Sequence, residues 1–126
     1  MIRIPDAGRF ELRLVDGSAN PYLLQAGILA AGNDGMDKKR NPGKPLLINM
    51  YTDYKDYPHL KKLPSNLESA LEKLNESKEL NEAFGEKIIT SYIKLKNNEI
   101  NNFNTKEIFS KEKPITDWEK LNTLDC

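Results

Sequence analysis

The chain opens on a strict alternation of charged and apolar residues. Arg9, Phe10, Glu11, Leu12, Arg13 and Leu14 take turns, and successive side chains of a strand point to opposite faces, which predicts a strand over Arg9 to Val15. Phe10, Leu12 and Leu14 would share a core face, and Arg9, Glu11 and Arg13 an ionic one. Ile2 to Pro5 predicts a shorter strand ahead of it, and Asp6-Ala7-Gly8 reads as a turn, so residues 1–16 are expected to form a hairpin or strand pair. Asp16-Gly17 then breaks the β region.

Beyond it the pattern takes on the period of a helix. Asn20 ahead of Pro21 places a capping side chain before a residue whose fixed φ and missing N–H suit the first helical position. This predicts a helix over 20–35, with Gly32 and Gly35 as candidate stops. Ala26, Gly27, Ala30 and Ala31 carry little bulk and are expected to let another backbone approach closely. Residues 37–64 hold Pro42, Pro45, Pro58 and Pro64 with Tyr51, Tyr54 and Tyr57, and predict a long loop without regular structure. Helices return over 65–126. Ser65 with Glu68 fits a capping box ahead of Leu67, Ala70, Leu71 and Leu74, and a short helix is expected from Ser77 to Gly85. A longer helix would carry Ile89, Tyr92, Ile93, Ile100 and Phe103 on one face; Thr116 with Glu119 repeats the capping box before Trp118 and Leu121. A short β start followed by helices is an α+β fold.

Composition narrows the function. The 126 residues suffice for one modest domain, and the 19 basic residues cancel the 19 acidic ones. Without a cationic surplus there is no electrostatic reason to expect a nucleic-acid or acidic-membrane partner. The one cysteine, Cys126, allows no intrachain disulfide and points to a cytoplasmic setting. "MIRIPDAGRF" lacks the apolar run of a signal peptide, and the apolar stretch Tyr22 to Gly32 is too short to span a bilayer. His59 stands in a Pro-rich loop without a nucleophilic or acidic pattern around it, which favours a surface position. "MDKKR" reads as a solvated turn, and "NPGKP" lacks the spacing of a phosphate-binding loop.

The row of charges supports two readings. A solvated strand face whose charges pair with a neighbour is ordinary in antiparallel sheets. Alternatively, guanidinium groups bind carboxylate and phosphate through paired hydrogen bonds, and a carboxylate between them could ligate Mg²⁺ or Mn²⁺. Phosphoryl transfer consists mostly of positioning and charge stabilisation, so it uses those parts.

"IRIP", "RFELR", "DGSANPYL" and "AAGNDG", in that order and spacing, resemble the C-terminal part of the glutamine synthetase catalytic domain. The family pattern reads approximately R-I-P, R-x-E-x-R, P-D-x-x-A-N-P-Y-L and A-A-G-L-D-G. "LPSNLESALEKL" and "FGEKIITSYIKLKNNEINNF" resemble later helices of that domain, and "NMYTDY" with "WEKLNTLDC" is most similar to the branch called type III. The resemblance implies that residues 1–126 are an incomplete, C-terminal portion of such a domain. It implies that Arg3 contacts the transferred phosphoryl group as the catalytic residue, Arg9 the phosphates of ATP, and Arg13 the carboxylate of glutamate. Glu11 would ligate one of two divalent metals, Mg²⁺ or Mn²⁺. Val15 and Asn33 depart from the family's proline and leucine but remove no chemical group; the surroundings of Tyr51 do not reproduce the motif of relatives modified at a nearby tyrosine.

By the same resemblance, the other metal-binding carboxylates, the flap over glutamate and the residue that deprotonates ammonium lie outside these residues. The isolated chain is therefore expected not to make glutamine from glutamate, ammonia and ATP. The rest of the synthetase, homo-oligomeric when complete, is the expected partner. Two alternatives stand beside this: a non-catalytic binding module that docks on a full-length synthetase, and a γ-glutamyl ligase that uses another amine such as methylamine.

Overall fold

The computed structural model describes residues 2–49, 51–106 and 115–123. Strands β1 (Ile2–Asp6) and β2 (Arg9–Leu12) form a two-stranded antiparallel sheet. Helices α1 (Pro21–Asp37), α2 (Leu67–Glu76), α3 (Lys78–Phe84), α4 (Glu86–Lys106) and α5 (Asp117–Asn122) follow. This is the α+β arrangement expected from the sequence. Cys126 and parts of the 65–126 region lie outside the described residues.

The hairpin turns at Ala7-Gly8, where Gly8 adopts φ 79, a left-handed conformation that a side chain would strain. Ile2 pairs with Leu12 and Arg3 with Glu11, but Asp6 pairs with Arg9, so β1 carries one extra residue between Arg3 and Asp6. That bulge has a consequence for the charges: a one-residue slip exchanges the two faces, which moves Asp6 onto the face of Arg3. β2 ends at Leu12 rather than Val15, level with its register partner Ile2 at the start of β1. The expected core face of the hairpin is only partly covered: Leu12 and Leu14 are half-buried, while Phe10 and the isoleucines of β1 stay open. Ile2, Ile4 and Phe10 are 62%, 74% and 60% exposed.

α1 starts as expected, with the Asn20 side chain accepting hydrogen bonds from the Tyr22 and Leu23 N–H groups, both at 3.0 Å. It runs through Gly32 and Gly35 to Asp37. The stop is a Schellman closure on Lys39, which takes φ 48 while the Arg40 N–H reaches the Gly35 carbonyl at 2.9 Å and its own N–H reaches the Met36 carbonyl at 3.1 Å. A glycine is usual at that position, which is why the pattern misleads. α2 is capped one residue later than Ser65: Asn66 accepts from the Ser69 N–H at 2.9 Å and from its hydroxyl at 2.7 Å. Gly85, at φ 82, ends α3, and Thr116 with Glu119 forms the expected capping box of α5. Within 37–64 the chain makes one 3-10 turn at Tyr54–Asp56.

The helices pack on one another, α2 on α4, α1 on α3, and α3 on both α2 and α4. Leu71 and Ile89 are the buried apolar residues at their centre, and Trp118 meets Phe103 edge to face at 5.6 Å, joining α5 to α4. α1 is tied to α3 by charge. Lys38 bridges Asp34 at 2.6 Å and Glu79 at 3.2 Å, and Arg40 bridges the same two carboxylates at 2.8 and 3.1 Å. "MDKKR" is the exposed turn expected after the helix, and its Lys38, with Arg40, also ties α1 to α3. The small residues of α1 do not admit a close backbone, since a Cβ on Gly27 would meet nothing within 4 Å. Of them, Gly27 borders an apolar hollow of about 240 Å³ that reaches Leu74, Phe84 and Tyr92.

Much apolar surface stays uncovered among the described residues. Along α1, Tyr22, Leu29 and Met36 recur every seventh residue and are 82%, 66% and 70% exposed. A helix with apolar residues on all sides is normally enclosed.

Candidate functional site

The ionic face of the hairpin gathers every residue proposed from the sequence. β2 projects Arg9 and Glu11 to one side, Arg13 continues their row just past the strand, and β1 brings Arg3 opposite Glu11. Glu11 is the hub. Its Oε2 lies 3.3 Å from Arg3 Nη1 and 3.4 Å from Arg13 Nε, and its Oε1 lies 3.6 Å from Arg9 Nη2. Arg9 also reaches Asp6 Oδ2 at 3.7 Å. Three guanidinium groups thus face two carboxylates and leave one unit of positive charge on a single sheet face. The arginine side chains are 56–62% exposed, while Glu11 is 32% exposed.

The geometry shows the pairing of the first reading. The charges do pair across the hairpin, yet they pair loosely: charge-assisted bonds close to about 2.7–2.9 Å when well made, and these stand at 3.3 to 3.7 Å. Arginines held in place but not saturated can exchange partners. Their exposed guanidinium groups can meet an oxyanion from solvent along a carboxylate or along one edge of a phosphate. Asp6 was not legible as part of this cluster, because its turn position hides the bulge that rotates it onto the ionic face.

A divalent cation does not fit these residues alone. Mg²⁺ needs several oxygen ligands, and Glu11 is one carboxylate with guanidinium groups on both oxygens. Among the described residues no group of three or more His, Cys, Asp or Glu side chains could hold a metal ion. His59 is exposed, as expected, with its ring 5.9 Å from that of Tyr57.

The profile of the glutamine synthetase catalytic domain matches residues 1–119. The chain belongs to that family. The glutamine synthetase of Rhizobium meliloti (strain 1021) is 45% identical over 125 residues, covering 99% of this chain and 27% of the relative. The glutamate–methylamine ligase of Methyloversatilis universalis is 36% identical over 129 residues, again 99% of this chain and 27% of the relative. A solved structure described as a GmaS/ADP complex superposes with a TM-score of 0.77 at 40% identity, over 100% of this chain and 27% of that one. The chain therefore spans about a quarter of the length of these glutamine synthetase-family proteins. Among the described residues no helix is long and apolar enough to cross a membrane.

Proposed function

We propose that this chain provides the arginine wall of the active site in an ATP-dependent γ-glutamyl ligase, as the C-terminal portion of a glutamine synthetase catalytic domain. The observation that carries the reading is the convergence of Arg3, Arg9 and Arg13 on one open sheet face. In the reaction, a γ-carboxylate oxygen of glutamate attacks the terminal phosphorus of ATP, the bond to the bridging oxygen breaks, and ADP leaves. Ammonia then attacks the acyl phosphate carbon, the carbon–oxygen bond to phosphate breaks, and the ammonium proton passes to an acceptor outside this chain.

Each arginine has a distinct task. Arg13 orients glutamate by its carboxylate, Arg9 holds the nucleotide phosphates, and Arg3 neutralises charge on the phosphoryl group in flight. Divalent metal binding would require oxygen ligands beyond this chain, with Glu11 as a single contributor. Methylamine in place of ammonia is compatible with the same wall, since the tasks given to these arginines concern the phosphates and the carboxylate of glutamate and not the amine. The cytoplasm, where ATP and glutamate are available, is the fitting compartment.

The exposed apolar faces support the rest of a synthetase as the partner: Ile2, Ile4 and Phe10 on the hairpin, and Tyr22, Leu29 and Met36 on α1. Grafting the chain into the Rhizobium meliloti enzyme in place of the matching segment tests the reading. The graft is expected to release ADP in a glutamate- and ammonia-dependent manner, and the isolated 126-residue chain to release none. A graft that folds and stays inactive, or an isolated chain that is active, contradicts it. Binding of the isolated chain to the intact relative without activity in the graft would favour the docking module instead.

A further inference from the structure

The contacts of Glu11 suggest a property of the arginine wall that its roles in catalysis do not require. A carboxylate carries two planar oxygens at the spacing of a phosphate edge, and here both are turned onto the guanidinium groups that would receive a substrate oxyanion. Resting on the reading of these arginines as an oxyanion site, we propose that Glu11 acts as an internal plug. It occupies Arg3, Arg9 and Arg13 in the free chain, and an incoming phosphate must displace it.

Three features favour a plug over a structural clasp. The contacts of 3.3, 3.4 and 3.6 Å are longer than a well-made charge-assisted bond, so they are easily exchanged. The arginines are more than half exposed while Glu11 is the least exposed member, so solvent anions reach the guanidinium groups from outside and the carboxylate underlies them. The hairpin ladder, finally, is made by backbone pairing between β1 and β2 and does not depend on Glu11. Asp6 provides an internal control. It carries the same charge on the same face but touches only Arg9, at 3.7 Å. A plug and a general field effect therefore predict different outcomes at the two positions.

The test is titration of the full chain with inorganic phosphate, followed by calorimetry and by the arginine Nε–H resonances. Glu11→Gln, close to isosteric, is expected to bind phosphate about three- to tenfold more tightly than the natural chain, the range that follows from losing competing exposed ion pairs. Asp6→Asn should change affinity less than about twofold. Glu11→Ala serves as a second variant with the same expected direction, and the Nε–H resonances of the natural chain should move toward their Glu11→Gln positions as phosphate is added. Equal or weaker binding by both Glu11 variants, with binding still lost on replacing the arginines, overturns the plug and leaves the oxyanion site standing. An equal gain from Asp6→Asn also overturns the plug, since charge alone would then explain it. Phosphate binding indifferent to Arg3→Gln, Arg9→Gln and Arg13→Gln overturns the oxyanion site and the plug with it.

Discussion

The hairpin and the α2–α4 pair obey their sequence patterns equally well, yet only the helix pair closes a core. In the helices, the apolar stripe of α2 meets that of α4, and Leu71 and Ile89 disappear between them. In the hairpin, an equally regular alternation leaves Ile4 and Phe10 in the open while its charges face one another. Two-stranded sheets are marginal by themselves. Periodicity therefore states which face wants a partner, and the partner of the hairpin is not among the described residues. The region left open is also the one that carries the candidate site.

Substitutions can separate the two regions. Leu71→Ala should have the largest effect, about 2–5 kcal/mol by urea unfolding, because it opens a cavity in the closed packing between α2 and α4. If that loss is under 1 kcal/mol, the helical unit is no more consolidated than the hairpin. Gly8→Val should cost about 1–2 kcal/mol, all of it in the hairpin, since the turn needs φ 79 while the space around Gly8 is empty. Amide exchange should then accelerate over β1 and β2 and stay unchanged over α2 and α4. A matching change in the helices would mean that the two regions unfold together.

Acid should act on the helical unit by a smaller, graded amount. The Lys38 ammonium, with Arg40 beside it, holds the Asp34 carboxyl below its ordinary value; Glu79 is lowered by its own backbone N–H and by Lys38. Glu119 is lowered by the Thr116 N–H and hydroxyl. Carboxylates depressed in the folded state contribute stability that is complete above their unfolded values of about 4 and is lost as pH falls through the folded ones. Lys38, raised by Asp34 and then Glu79, gives the opposite sign: its share is complete below about pH 10 and fades above. The thermal midpoint should be flat between these limits and fall on the acid side. A midpoint that rises on acidification from pH 5 to 3 would contradict the ionic tie between α1 and α3.

Much of this was legible in the sequence because it is local. The Asn20 cap, the Thr116–Glu119 capping box, the Gly85 stop and the alternation of β2 each need only a few neighbouring residues. What escaped depends on distance or on geometry that a residue type does not announce. The bulge that turns Asp6 onto the ionic face is set by pairing between strands; the closure of α1 uses Lys39 where a glycine is usual; Lys38 and Arg40 find Glu79 across 41 and 39 residues. Of the site, the row of Arg9, Glu11 and Arg13 follows from period two, whereas the addition of Arg3 needed either the family pattern or the register.

The most direct test of the arginine wall is the glutamate dependence of ADP release by the grafted enzyme carrying Arg13→Gln. Loss of a charged pair to a substrate carboxylate should raise KM for glutamate about 10- to 100-fold with a smaller change in kcat. An unchanged KM in an active, folded graft would contradict the assignment of this face to substrate binding.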